Sequence, residues 1–393
     1  NAYPITLTGS MRTGRVYNIA LNVLSFKGGN VVVKPKKGGY PSNAAQYLRY
    51  NIPLQAGYVF AKGSGDNEHS IVLKQCLFVD GVNGNDGNSG MTPEYPLKTM
   101  QEALREAERG EYVIYVCGKV TCPSSETWSH RDTPVIIKRY TGFSIGGVRS
   151  YPAYSGTMFE VPAGKTLTIG NHVDLITGLN TEQDVYRPSG SIFDVKGTLI
   201  LNKAGLIIES NPLNAGNGGA IHNTGTLRVQ QTAQIRNVSA GNGGAIYNAG
   251  AMYVDAALTM DNASATGDGG AIYNYNTGSV EVNAALTLNN VSAIGSGSAV
   301  YQAGSFTLNA GASLNTDGVV YLTNDGYLAV ANSAVQMTNP LSIDIGDPYD
   351  GRVYVQYGAD GAANAETERA RYSLPARITS TYTLMDKTEA DQL

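Results

Sequence analysis

The residues best suited to touch another molecule are aromatic, and they recur at one point of a repeated phrase. The chain reads Gly-Gly-Ala-Ile-His-Asn from Gly218, Gly-Gly-Ala-Ile-Tyr-Asn from Gly243 and again from Gly269, and Gly-Ser-Ala-Val-Tyr-Gln from Gly297, at steps of 25, 26 and 28 residues. Successive side chains of a strand point to opposite faces. With Ile221, Ile246, Ile272 and Val300 turned inward, His222, Tyr247, Tyr273 and Tyr301 turn outward, and Tyr321 continues the row. Stacked copies of one unit set such rings about 4.8 Å apart. A row of phenols can stack on sugar rings and hydrogen-bond their hydroxyls. Its rings can also stack on one another and tie neighbouring units together.

Amides recur beside the rings. Asn223, Asn248, Asn274 and Gln302 fall at one place in the repeat, and Asn237, Asn262 and Asn290 at another. Both sets read as structural ladders, whose amides bond along the stacking axis and satisfy turn backbone.

Other chemistry is thinly provided. Between residues 201 and 345 stand eight acids (Glu209, Asp255, Asp261, Asp268, Glu281, Asp317, Asp325, Asp344) and three bases (Lys203, Arg228, Arg236). A glycosidase needs paired carboxylates, and a lyase acting on acidic sugars needs a base and cationic support. Asp261 and Asp317 come nearest to sharing a ladder, with Glu209 close to it; the other acids mostly occupy different points. The four histidines, His69, His130, His172 and His222, have no ligand-spaced partner, so neither a metal nor a cofactor is expected. In the loop Asn83–Glu94, residues Asn83, Asn85 and Glu94 match calcium-loop positions one, three and twelve. Gly87 and Asn88 break that pattern, which leaves a tight structural loop. Cys76, Cys117 and Cys122 form no disulfide framework, and a bridge between Cys117 and Cys122 across Gly-Lys-Val-Thr stays open.

The elements that must position these residues are strands. A period in this range, rich in Gly and Asn and free of helical spacing, marks one supersecondary unit stacked on copies of itself. Gly164, Gly197, Gly225, Gly250, Gly278 and Gly304 each open an equivalent strand. The alternation puts Leu227/Val229, Met252/Val254, Val280/Val282 and Phe306/Leu308 inside, and Arg228, Tyr253, Glu281 and Thr307 outside. A third strand of the unit ends at Asn237, Asn262 and Asn290. The fold class is therefore all-β, a right-handed parallel β-helix with three faces. Three segments follow: a small β domain, or the end of one, over 1–75; the β-helix over 76–345, with an N-terminal cap over 76–110; and a C-terminal cap or extra strands over 346–393. Within the first cap, Met100 to Arg109 reads as a helix capped by Thr99 and ended by Gly110.

Charged residues make up only 15% of the chain, below the usual share of about a quarter, while glycine (47) and tyrosine (25) are abundant. Residues 1–75 carry nine Lys/Arg and two acids, a net +7 that leaves −11 on the rest. The acidic repeats argue against nucleic acid as a partner. No run of 18 apolar residues suggests a transmembrane segment.

Two resemblances add to this reading. Leu77-Phe78-Val79-Asp80-Gly81, a Gly/Asn loop, Pro93, Pro96, Lys98-Thr99, a short helix and the strand Tyr112–Val116 follow the order of the N-terminal cap of pectate-lyase-like right-handed β-helix proteins. The Gly-Gly-Ala-Ile phrase resembles repeats of polymorphic outer-membrane and other autotransported adhesins. Those families pair it with an upstream aromatic-x-x-Asn element; here Ile235, Met260 and Leu288 stand for the aromatic, with the Asn two residues on. Residues 3–24 are weakly similar to closing strands of fimbrillin-type surface domains. The adhesin resemblance implies a non-catalytic bacterial cell-surface adhesin or adhesin stalk, extracellular and part of a longer surface protein. Its expected partner is a host or microbial surface glycan or protein, met through His222, Tyr247, Tyr273, Tyr301 and Tyr321. The pectate-lyase-like fold implies the alternative of a polysaccharide lyase or glycoside hydrolase. A purely structural surface spacer is the third reading.

Overall fold

In a computed structural model, the described residues are 56–62, 71–107, 112–118, 157–170, 190–209, 216–323, 325–331, 334–338, 340–348, 353–357 and 369–379, with short strands at 5–7, 19–20, 31–35, 50–51, 120–122, 128–129, 135–139, 147–150 and 175–177. His69, His130 and His172 lie outside them, as does most of the 1–75 segment.

The chain is an all-β parallel solenoid with little helix. Among the described residues three sheets stack along it, one of fourteen strands and two of ten. From Tyr112 to Ile345 the described strands enter the three sheets in the same order in every turn. In one turn these are Thr226–Val229, Ala233–Ala240 and Ile246–Asn248, after which Ala251–Val254 returns to the first sheet. Every neighbouring pair in this part is parallel and keeps register, as in Leu227 beside Met252, Met252 beside Val280 and Val280 beside Phe306.

Alternation supplies the core. Leu227, Val229, Met252, Val254, Val280, Val282, Phe306 and Leu308 are all buried without residual exposure. A second apolar column runs Phe159, Phe193, Ile221, Ile246, Ile272, Val300, Val320 and Ile343. The Phe159 and Phe193 rings stack at 5.2 Å. Parallel sheets covered on their inner face read as such apolar columns in register.

The paired glycines are set by close backbone approach. Gly243 holds φ 62°, and a Cβ on Gly244 would lie 2.1 Å from the Gly270 carbonyl oxygen of the next turn. No side chain fits at Gly244, whereas the fourth phrase carries Ser298 at that place, its Oγ accepting from Val319 N at 2.8 Å.

One sequence expectation about strand ends is corrected. The strand Ala233–Ala240 does not end at Asn237 but runs through it, as Leu258–Ala265 runs through Asn262. Asn237, Asn262 and Asn290 adopt φ 53°, 54° and 51°. At Asn237 and Asn262 this left-handed kink lets both halves of the strand stay paired, whereas the strand Ala285–Asn289 stops just before Asn290, as expected. Asn tolerates this backbone better than other non-glycine residues.

At the first end of the solenoid the helix spans Met100–Glu106, shorter than the expected Met100–Arg109, with Ala107 as its C-cap. The Thr99 side chain accepts from Glu102 N. Met100, Ala103, Leu104 and Ala107 join the main core. The loop before it is held internally: Asp86 Oδ1 accepts from Lys98 N (2.8 Å) and Thr99 N (2.9 Å), and Asp80 accepts from Val82 N and Asn83 N. The Cys117 thiol is free and buried in a small apolar cluster with Cys76, Phe78 and Val113, so it forms no bridge to Cys122. Burial pushes the Cys76 and Cys117 thiols up to about 12. The strand Ile71–Val79 joins the first sheet and also pairs antiparallel with Tyr58–Lys62 and Val31–Pro35 from the 1–75 segment. No helix among the described residues is long and apolar enough to cross a membrane.

Candidate functional site

Register brings the aromatic residues together. His222, Tyr247, Tyr273, Tyr301 and Tyr321 occupy one outward position in five successive strands of the third sheet. Ring centroids are 5.1, 5.1, 4.5 and 5.3 Å apart, with interplanar angles of 21°, 8°, 6° and 18°. Near-parallel rings this close cannot lie edge to edge in one plane, because their rims would overlap. They are offset-stacked, each face turned to the next ring. The column therefore shows solvent its edges and hydroxyls, and the faces of its inner rings are taken. Tyr253 lies in the first sheet, where the Arg228 guanidinium sits 4.4 Å from its ring centroid.

Burial pushes the Tyr247, Tyr273 and Tyr301 phenols above their ordinary value of 10.0, and nearby phenols and the Asp268 carboxylate add to this at Tyr273 and Tyr301. The phenols accordingly stay protonated at neutral pH; the Tyr273 and Tyr301 hydroxyls share one hydrogen bond, and each phenol keeps further capacity to donate or accept.

Behind this face stands a second column. Asn223, Asn248, Asn274 and Gln302 are completely buried. Asn223 Nδ2 donates to Asn248 Oδ1 (2.7 Å), Asn248 Nδ2 to Asn274 Oδ1 (2.8 Å) and Asn274 Nδ2 to Gln302 Oε1 (2.9 Å). The same amides donate to the carbonyls of Ala251, Ser279 and Ser305, which closes the corner after each tyrosine strand. These bonds fix the spacing at which the rings stack. The outer amides are less uniform. Asn262 Nδ2 donates to Asn237 Oδ1 at 3.1 Å, whereas Asn290 Nδ2 reaches Asp261 Oδ1.

Three neighbours of the column escaped sequence reading. Asp194 lies beside His222 in register, its Oδ1 2.9 Å from His222 Nδ1, and Lys196 Nζ lies 3.3 Å from its other oxygen. The His222 hydrogen bond holds the Asp194 carboxyl below the usual range. Asp194 sits in Phe-Asp-Val, which shares no residue with Ile-His-Asn, so only strand register reveals the equivalence. Asp268 precedes the third Gly-Gly, and its Oδ1 accepts from Ser296 N at 2.6 Å. Tyr275 follows Asn274, and its ring lies 6.1 Å from Tyr247 and 6.5 Å from Tyr273. A second Tyr after Tyr-Asn, found in that repeat alone, was the available signal.

The carboxylates considered for catalysis are engaged elsewhere. Arg236 stands in register between Glu209 and Asp261 and donates to Glu209 at 2.7 Å. Asp261 accepts from Asn290 Nδ2 (3.1 Å) and Asp317 from Asn290 N (2.7 Å). Asp255 accepts from Asn283, and Asp344 pairs with Arg377.

Comparison with protein families, with curated proteins and with solved structures gives no match for this chain.

Proposed function

We propose that this protein is a non-catalytic, extracellular component of a bacterial cell surface, an adhesin or adhesin stalk that meets glycans through its tyrosine column. The observation that carries the reading is the unbroken row of phenol edges on one face, from Tyr247 to Tyr321, ended by His222. Such edges offer a ladder of hydroxyls suited to the hydroxyls of a polymer. The low charge and the abundance of Gly and Tyr agree with an exposed, neutral binding surface. The engagement of Glu209, Asp261 and Asp317 with structural donors weighs against the alternative of a polysaccharide lyase or glycoside hydrolase.

The ring stacking also favours a second reading, a structural spacer whose tyrosines serve only to join turns. A glycan array separates the two. The wild-type protein is expected to bind a defined set of glycans. The triple variant Tyr247→Phe, Tyr273→Phe and Tyr301→Phe keeps the ring stack, removes the hydroxyls and is expected to lose that binding. A silent array with folded wild-type protein would support the spacer.

A further inference from the structure

The stacked column has no free inner face for a sugar ring, and a more exposed aromatic stands beside it. Tyr275 is 41% exposed. It occupies the corner position after the buried amide, which Ala249 fills one turn earlier and Ala303 one turn later. Their amides make the equivalent bonds, Ala249 N to Asn223 O, Tyr275 N to Asn248 O and Ala303 N to Asn274 O. With alanine on both neighbouring turns, no side chain at this position covers the Tyr275 ring from above or below. The backbone that carries the ring is held in place. Gly278 N donates to Tyr275 O at 2.8 Å, closing a tight turn, and Thr277 Oγ1 donates to Ala249 O at 2.9 Å, tying that turn to its neighbour. Its ring lies 6.1 Å from that of Tyr247, tilted by 30°, and 6.5 Å from that of Tyr273, near-parallel at 23°.

We infer that Tyr275 is the stacking platform of a glycan site, and that the ligand is a neutral sugar chain lying along the column. This rests on the glycan reading above and assigns its contacts. One pyranose lies on the exposed part of the Tyr275 ring, and its hydroxyls meet the phenols of Tyr247, Tyr273 and Tyr301. Three features select the class. An aromatic ring on a fixed turn, with part of its surface exposed, takes the apolar face of a sugar. Protonated phenols that both donate and accept match a polyol rather than an ion. Asp268, whose negative charge reaches Tyr273 and Tyr301, disfavours uronate or sulfate groups there. The chain enters this turn at Asp268 and leaves it at Tyr275, so the two lie before and after the tyrosine strand and bracket the phenols.

The test uses the full chain on an array holding neutral, uronic, sulfated and amine-bearing glycans, followed by titration of the best ligand. Three single variants accompany it: Tyr275→Ala, Tyr275→Phe and, on a different sheet, Tyr253→Ala. Far-ultraviolet circular dichroism confirms that each is folded. The expected result is a neutral hit weakened about tenfold by Tyr275→Ala and largely kept by Tyr275→Phe and Tyr253→Ala. Neutral binding unchanged in Tyr275→Ala but lost in the triple Phe variant would overturn this site and leave the glycan reading standing. A hit confined to uronic, sulfated or amine-bearing glycans would overturn the neutral class. A wild-type protein that binds no glycan would overturn both.

Discussion

Asn237, Asn262 and Asn290 sit in the left-handed backbone region, the first two in the middle of long strands of the second sheet and Asn290 just after the strand Ala285–Asn289. An Asn side chain tolerates that region, and Asn262 also donates to Asn237 across the turn. A β-branched residue there meets the strain without the bond. Asn262→Val is expected to lower stability by about 1–3 kcal/mol, and Asn262→Gly by clearly less. Urea denaturation of the two variants checks the order, and equal losses would mean the kink is not what Asn supplies. Sequence reading marked these positions as special through their recurrence. It could not tell a strand end from a kink, because both favour Asn and both interrupt alternation.

At the scale of the element, the three middle tyrosines of the column are shifted in the same direction. The folded phenols of Tyr247, Tyr273 and Tyr301 ionise above 10.0, so the folded state binds protons that the unfolded chain releases. Their contribution to stability is complete below pH 10 and is lost as pH rises through the folded values. An alkaline titration followed by phenolate absorbance should show these tyrosines ionising late, together with loss of strand circular dichroism. A single ordinary transition with the fold intact would contradict the burial of the rings. The column was legible because Gly-Gly-Ala-Ile fixes which way the next residue points. Its flanks were not. Asp194 belongs to a turn whose sequence has lost the phrase, and Tyr275 stands on an extra corner residue that the period does not count. Ring orientation was also beyond the sequence, since spacing alone allows rings to face either solvent or each other.

At the scale of the whole molecule each turn leans only on its two neighbours, the energetics of a one-dimensional stack. Residues 243–268 form one such turn, and removing them joins Asn242 to Gly269, the start of an equivalent phrase. The shortened chain is expected to keep its strand spectrum, melt a few degrees lower and place His222 against Tyr273. A deletion of half that length should abolish folding. Equal tolerance of both would mean that register is not what holds the stack. The buried amides carry this further. Every side chain in the Asn223–Asn248–Asn274 series gives its hydrogen in the same direction, and Asn223 Oδ1 is left without a donor at one end. Each repeat brings one donor and one acceptor, so the deficit stays at a single unsatisfied oxygen however many repeats are strung together. Repeat copy number is thus close to neutral for the interior, so the molecule can be lengthened or shortened by whole repeats without a compensating change in its core.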